Sequence, residues 1–145
     1  MGSFQVKITV LQDVAHTWEY FFNQISNWWP KSYFTSERTL RFQIETFIGG
    51  RMFEDFGEGD GLIWANVIGV DYLKSVDLRG SLTRSFGGPA ITFGRFEVSS
   101  ENGSTTLSYT CDFIGDIESE SIESIREGWQ SLLEKHFKPY CRSRN

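Results

Sequence analysis

Between Leu40 and Ile114, six segments in succession alternate apolar and polar residues, and the chain then changes to one long helical stripe. No other feature restricts the fold as strongly. In the first segment Leu40, Phe42 and Ile44 share a side, against Arg41, Gln43 and Glu45. Strands are expected over 51–56, 62–73, 74–82, 91–99 and 105–114. Gly49-Gly50 predicts a tight hairpin turn, the 57–61 segment a looser one, and Glu101-Asn102-Gly103-Ser104 a turn of the Asn-Gly kind. Gly87-Gly88-Pro89 reads as a loop. In the last segment Leu107, Tyr109, Cys111 and Phe113 point inward, and Thr106, Ser108, Thr110 and Asp112 outward. Six strands joined by short turns make an antiparallel meander with one apolar face, and something must cover that face.

The cover is written at the end of the chain. Ile122, Ile125, Trp129, Leu132, Leu133, His136, Phe137 and Tyr140 recur at the spacing of one helix face. Asp116, Glu118, Glu120 and Glu123 crowd its start, and Lys135, Lys138, Arg142 and Arg144 its end, which matches the helix dipole. These charges are accounted for as helix chemistry and not as a binding patch. Ahead of the meander, residues 4–10 alternate as a strand able to close the sheet beside the last one. Asp13 offers an N-cap for a helix to about Asn23, and a short second turn ends at Trp28-Trp29-Pro30, where proline stops it. The 31–39 segment is a polar connection. The expected fold is α+β, in the order β-α-α-β6-α: a curved antiparallel sheet wrapped around a long C-terminal helix, with residues 1–145 as one domain.

Composition narrows the partners. A net charge of −5 argues against nucleic acid, because phosphate neutralisation needs concentrated Lys and Arg. No apolar run approaches the roughly 18 residues of a membrane span. The N-terminus passes straight into a strand pattern without the charged and apolar regions of a signal peptide. The two cysteines, Cys111 and Cys141, suggest a reducing compartment, so a cytoplasmic location is expected.

With these elements in order, the chain resembles the START-like superfamily (SRPBCC, birch-pollen-allergen-like, helix-grip). Within it the resemblance narrows to the branch named after the C-terminal domain of the heat-shock-chaperone ATPase activator. Trp18 in the first helix, Trp28-Trp29-Pro30 after it, Gly49-Gly50-Arg51 between the second and third strands, and Gly128-Trp129 before Leu132 and Leu133 carry the resemblance. Phe47-Ile48 is apolar where relatives often carry a polar or charged residue, so no polar ligand anchor is carried over to this hairpin. The resemblance implies a cavity between sheet and helix and a choice among lipid or polyketide binders, cyclases and chaperone-linked proteins. The activator itself has an additional N-terminal domain for which 145 residues leave no space, so length gives a chaperone partner no support.

Few residues suggest chemistry. His16 and His136 are the histidines of the chain, and Cys141 follows His136 by five positions, off the spacing that presents two metal ligands on one helix face. The glycine-rich 57–61 segment lacks the Lys-Ser/Thr of a phosphate loop, and Gly-x-Ser-x-Gly is absent. Arg51, Glu54 and Asp55 read as a surface Arg–Asp pair with Glu54 on the other side of the strand. Trp28, Trp29, Phe53, Trp64, Tyr109 and Trp129 are candidates to line the cavity, with Trp28 and Trp29 at its mouth. His136, Tyr109 and Arg95 are candidates for its polar groups, and His136 with Asp55 supplies the meagre material for acid–base work. Gly128 is expected to let a strand or ligand approach the helix backbone. The expectation is a non-catalytic binder of an apolar or amphipathic small molecule, without cofactor or metal. A chaperone-linked interaction module and a cyclase or dehydratase using the same cavity are the alternatives.

Overall fold

The expected alternation is realised as one antiparallel sheet of seven strands in the computed structural model, which describes residues 2–144. The strands are β1 (Gly2–Val10), β2 (Arg41–Ile44), β3 (Arg51–Gly57), β4 (Asp60–Asp71), β5 (Ser75–Leu82), β6 (Ala90–Glu101) and β7 (Ser104–Gly115). Their order across the sheet is β1-β7-β6-β5-β4-β3-β2, so β1 does close against the last strand, with Val6 opposite Tyr109. The sheet curls into a half-barrel around the C-terminal helix.

Two short helices precede β2. α1 (Val14–Trp18) starts where Asp13 accepts the His16 backbone N–H at 2.7 Å. It continues as a wider π turn, Glu19–Asn23, which buries the consecutive Phe21 and Phe22 together. α2 (Ile25–Trp28) ends before Pro30. The covering helix is α3 (Ser119–Leu132), a π turn over Leu133–Phe137, and α4 (Lys138–Ser143). Pro139 sits within this run and has no N–H to give Lys135, and the widened turn just before it takes up the mismatch.

Three local expectations change. The tight hairpin turn is Glu58-Gly59, with Gly57 opposite Asp60 and φ of 55° and 86° at the two central residues. Gly49-Gly50 instead belongs to a longer loop that docks on β4, with Gly49 N–H donating to the Val67 carbonyl and Val67 N–H to that of Gly50, both at 2.9 Å. Gly50 is required there because a Cβ would lie 2.0 Å from the Glu45 carbonyl oxygen. Leu40 does not join Phe42 and Ile44: it precedes β2 and is exposed.

Candidate ligand-binding site

A cavity of about 340 Å³ opens between the sheet and α3, at the lower end of the roughly 300–1,000 Å³ typical of small-molecule sites. Residue size along the strands explains it. Ala65, Gly80 and Thr92 stand opposite one another across β4, β5 and β6, so one inward-facing row carries small side chains. Gly94, on β6 between Leu78 and Cys111, is also bare, and a Cβ there would lie 2.6 Å from the Tyr109 hydroxyl. The missing volume leaves room for Tyr109 to lie against β6, and for the cavity beside it.

Met52, Leu78, Phe113, Trp64 and Trp129 form the apolar wall. Tyr109 stacks on Phe96 at 4.2 Å and meets Trp129 at 4.7 Å between ring centroids. Thr35, Ser81, Thr83, Thr92, Tyr109 and Cys111 supply polar atoms, and Phe86 and Ile125 add to the apolar lining. Among the described residues, no Asp, Glu, His, Lys or Arg lines it. Tyr109 and Cys111 are neighbours on the inner face of β7. Burial pushes the Tyr109 hydroxyl well above its ordinary 10.0, and burial likewise pushes the Cys111 thiol up to about 11, so both groups are neutral at physiological pH.

Of the residues expected at the site, Trp64, Tyr109 and Trp129 are in its wall. Trp29 stands one layer back, stacked on Phe42 at 3.8 Å and edge-on to Trp64 and Trp129 at 5.5 and 5.7 Å. Its buried indole N–H has no partner among the described residues. Trp28 is farther into the core, against Phe21 and Phe137, with its N–H on the Tyr20 carbonyl. The pair is therefore interior packing and not a mouth, because the π turn and Pro30 fold both indoles inward. Phe53 is on the outer face of β3 with the Arg51 guanidinium 4.2 Å over its ring. His136 is half-buried, faces Tyr33 at 6.2 Å and does not line the cavity. Arg95 is on the outer face, paired with Asp77 at 3.3 Å. Asp55 pairs with Arg41 at 3.0 Å, not with Arg51, whose partner is Glu45 at 2.7 Å. A Cβ on Gly128 would meet only Tyr33, at 3.8 Å, so no strand backbone crowds the helix there. Among the described residues, no three His, Cys, Asp or Glu side chains gather as a metal site.

One residue beside the site is not among those expected. Glu54 is fully buried, 0% exposed, directly behind the wall. Its Oε1 accepts the Thr35 backbone N–H at 2.8 Å and the Thr39 hydroxyl at 2.6 Å, and its Oε2 accepts the Trp64 indole N–H at 2.8 Å. These three donors suit a carboxylate, which only accepts. They tie the 35–39 segment and the Trp64 ring to β3. The alternation of β3 puts Glu54 inward with Met52, and that parity is the available signal.

Comparison with solved structures agrees with this architecture. DynU16, from the dynemicin biosynthetic locus, matches at a TM-score of 0.67 and 17% identity over 90% of this chain, which spans 44% of DynU16. The fold is START-like. The Aha1 dimer of Colwellia psychrerythraea shares this START-like fold at a TM-score of 0.66 and 14% identity, over 95% of this chain and 94% of that one. Ara h 8.0201 does so at 0.67 and 11%, over 98% of each chain. No family model and no curated protein sequence matches. Among the described residues, no helix is long and apolar enough to cross a membrane.

Proposed function

We propose that this protein binds an apolar or amphipathic small molecule, lipid- or polyketide-like, in the cavity between sheet and α3, without transforming it. The observation that carries the reading is the row of small inward residues, Ala65, Gly80 and Thr92, where the sheet would otherwise hold large core side chains. The aromatic wall supplies apolar burial, and the hydroxyls of Thr35, Ser81, Thr83 and Thr92 supply hydrogen bonds for orientation. Acid–base catalysis needs a donor and an acceptor within hydrogen-bond reach of one reacting centre. Tyr109 and Cys111 are held neutral, and His136 and Asp55 stand outside the lining.

Native mass spectrometry of the protein purified from cells, followed by a thermal-shift screen of fatty acids, sterols, flavonoids and polyketides, tests the reading. A bound mass or a saturable shift is expected, and Ala65→Leu should abolish it by filling the cavity while the protein stays folded. Turnover of any hit would replace the binder with a cyclase- or dehydratase-type enzyme. Absence of every hit, with no bound mass, would favour an interaction module.

A further inference from the structure

We infer that the cavity selects a cationic ligand, a protonated amine or quaternary ammonium on an aromatic or apolar body, over a neutral or carboxylate ligand of the same shape. The inference rests on the binding reading above and specifies the ligand class. Its origin is the charge on Glu54. All three hydrogen-bond partners of that buried carboxylate are neutral, and among the described residues no Lys, Arg or His pairs with it. The basic side chains around β3 are engaged elsewhere: Arg41 with Asp55, Arg51 with Glu45, and Arg38 with Asp60. A buried charge is ordinarily paired. Here the fold supplies no counter-charge.

Two of the three donors, Thr35 and Trp64, themselves line the cavity, so the carboxylate is one side chain behind the wall. A ligand there sits in a low-dielectric site within reach of a weakly screened negative charge, which favours a cation and disfavours an anion. The aromatic wall acts in the same direction, because Trp and Tyr rings attract cations and Trp64, Trp129 and Tyr109 all line the cavity, although Phe96 covers one face of Tyr109. Hydrogen bonding from the Trp64 N–H to the carboxylate makes that indole richer in electrons. The hydroxyl oxygens of Thr35, Ser81, Thr83 and Thr92 can accept ammonium N–H groups. A carboxylate ligand would find no basic side chain in the lining; Arg84, on the turn after β5, is exposed and is not part of it.

Calorimetric titration with three probes sharing one body tests this: a naphthylethylamine, the matching naphthylethanol and the matching naphthylpropanoate. At neutral pH the amine should bind about tenfold tighter than the alcohol, and the propanoate weakest. The preference should survive about 0.3 M salt, which screens the general attraction of a chain of net charge −5 but not a buried carboxylate. In Glu54→Gln the amine-to-alcohol ratio should fall toward unity, whereas in Trp64→Phe, which loses the same hydrogen bond but keeps the carboxylate, most of the preference should remain. The wild-type comparison stands even if either variant fails to fold. Alcohol or propanoate binding as tightly as the amine would overturn the selectivity and leave the binding reading intact. Failure of all three to bind, alongside an empty thermal-shift screen, would remove the binding reading and the inference with it.

Discussion

Replacing Glu54 with Gln should destabilise the fold, and the loss should depend on Trp64. The amide oxygen of Gln can keep the two bonds that Oε1 now accepts, from Thr35 N–H at 2.8 Å and the Thr39 hydroxyl at 2.6 Å. Its NH2 group then faces the Trp64 indole N–H, where the carboxylate accepts at 2.8 Å. Donor meets donor, and the buried site gives water no access. Leaving such a group unsatisfied costs about 1–3 kcal/mol. Trp64→Phe removes the donor and leaves Oε2 bare, again at about 1–3 kcal/mol, plus lost packing. In the double variant the conflict is gone, so its loss should be at least about 1 kcal/mol less than the sum of the singles. Each single change is smaller than the about 5–15 kcal/mol of a typical domain, so the singles should fold and can be measured by urea denaturation. Losses that add within about 0.5 kcal/mol would show that the Glu54–Trp64 bond does not hold the wall.

The thiols provide a chemical test. Burial pushes Cys111 up to about 11 and Cys141 up to about 12, so neither should react with iodoacetamide at about pH 8 until denaturant is added. Both titrate higher in the folded state than their ordinary 9.0, so their stabilisation is complete below that value and lost as pH rises through the folded values. Denaturant midpoints should therefore fall from about pH 9 to about pH 11, and less steeply in Cys111→Ala; a flat profile there would contradict the burial. Gly128→Ala should raise stability by about 0.5–1 kcal/mol, because the position is helical and a Cβ would meet only Tyr33 at ordinary contact distance. A lower midpoint for that variant would mean that the helix backbone is more closely approached than its neighbours indicate.

The framework is legible in the sequence because most strands keep one parity from end to end. β7 is the clearest case: Leu107, Tyr109, Cys111 and Phe113 are all buried, as alternation requires. β3 and β4 are not legible in the same way. In β4 the register shifts at Trp64 and Ile68 break the period, and in both strands large apolar residues stand on both parities: Met52 and Phe53 in β3, Ile63 and Trp64 in β4. Phe53 therefore reads as a wall residue although it lies outside under Arg51. Glu54 is hidden by its own chemistry, since a carboxylate in a strand is ordinarily solvated or paired with a base. The donors that hold it come from residues 35 and 39 and from the next strand, contacts that no short window of sequence brings together. The Trp28-Trp29 pair is legible as to its element but not its depth, because the π turn that folds it inward has no sequence signature comparable to Pro30.

Local rules are kept at one end of the inner face and broken at the other. Where α1 and its π turn meet the C-terminal helix, Phe21 packs against the rings of Phe22, Phe96 and Phe137 and fills the interior. Around the cavity the choices run the other way. Gly80 and Gly94 occupy strand interiors, where glycine weakens a strand. Glu54 is buried without a cation, and the Trp29 N–H behind Trp64 and Trp129 has no partner among the described residues. Each of these lowers stability, and each lies in the cavity wall or against a residue that forms it. Folded sequences tolerate such conflicts chiefly where function needs them. A ligand in the cavity would restore part of the loss, since a ligand at about a hundred times its dissociation constant adds about 2.7 kcal/mol to the folded state. On the proposed binding function, the defects and the cavity are two aspects of one arrangement: the interior is left unfinished where the ligand would complete it.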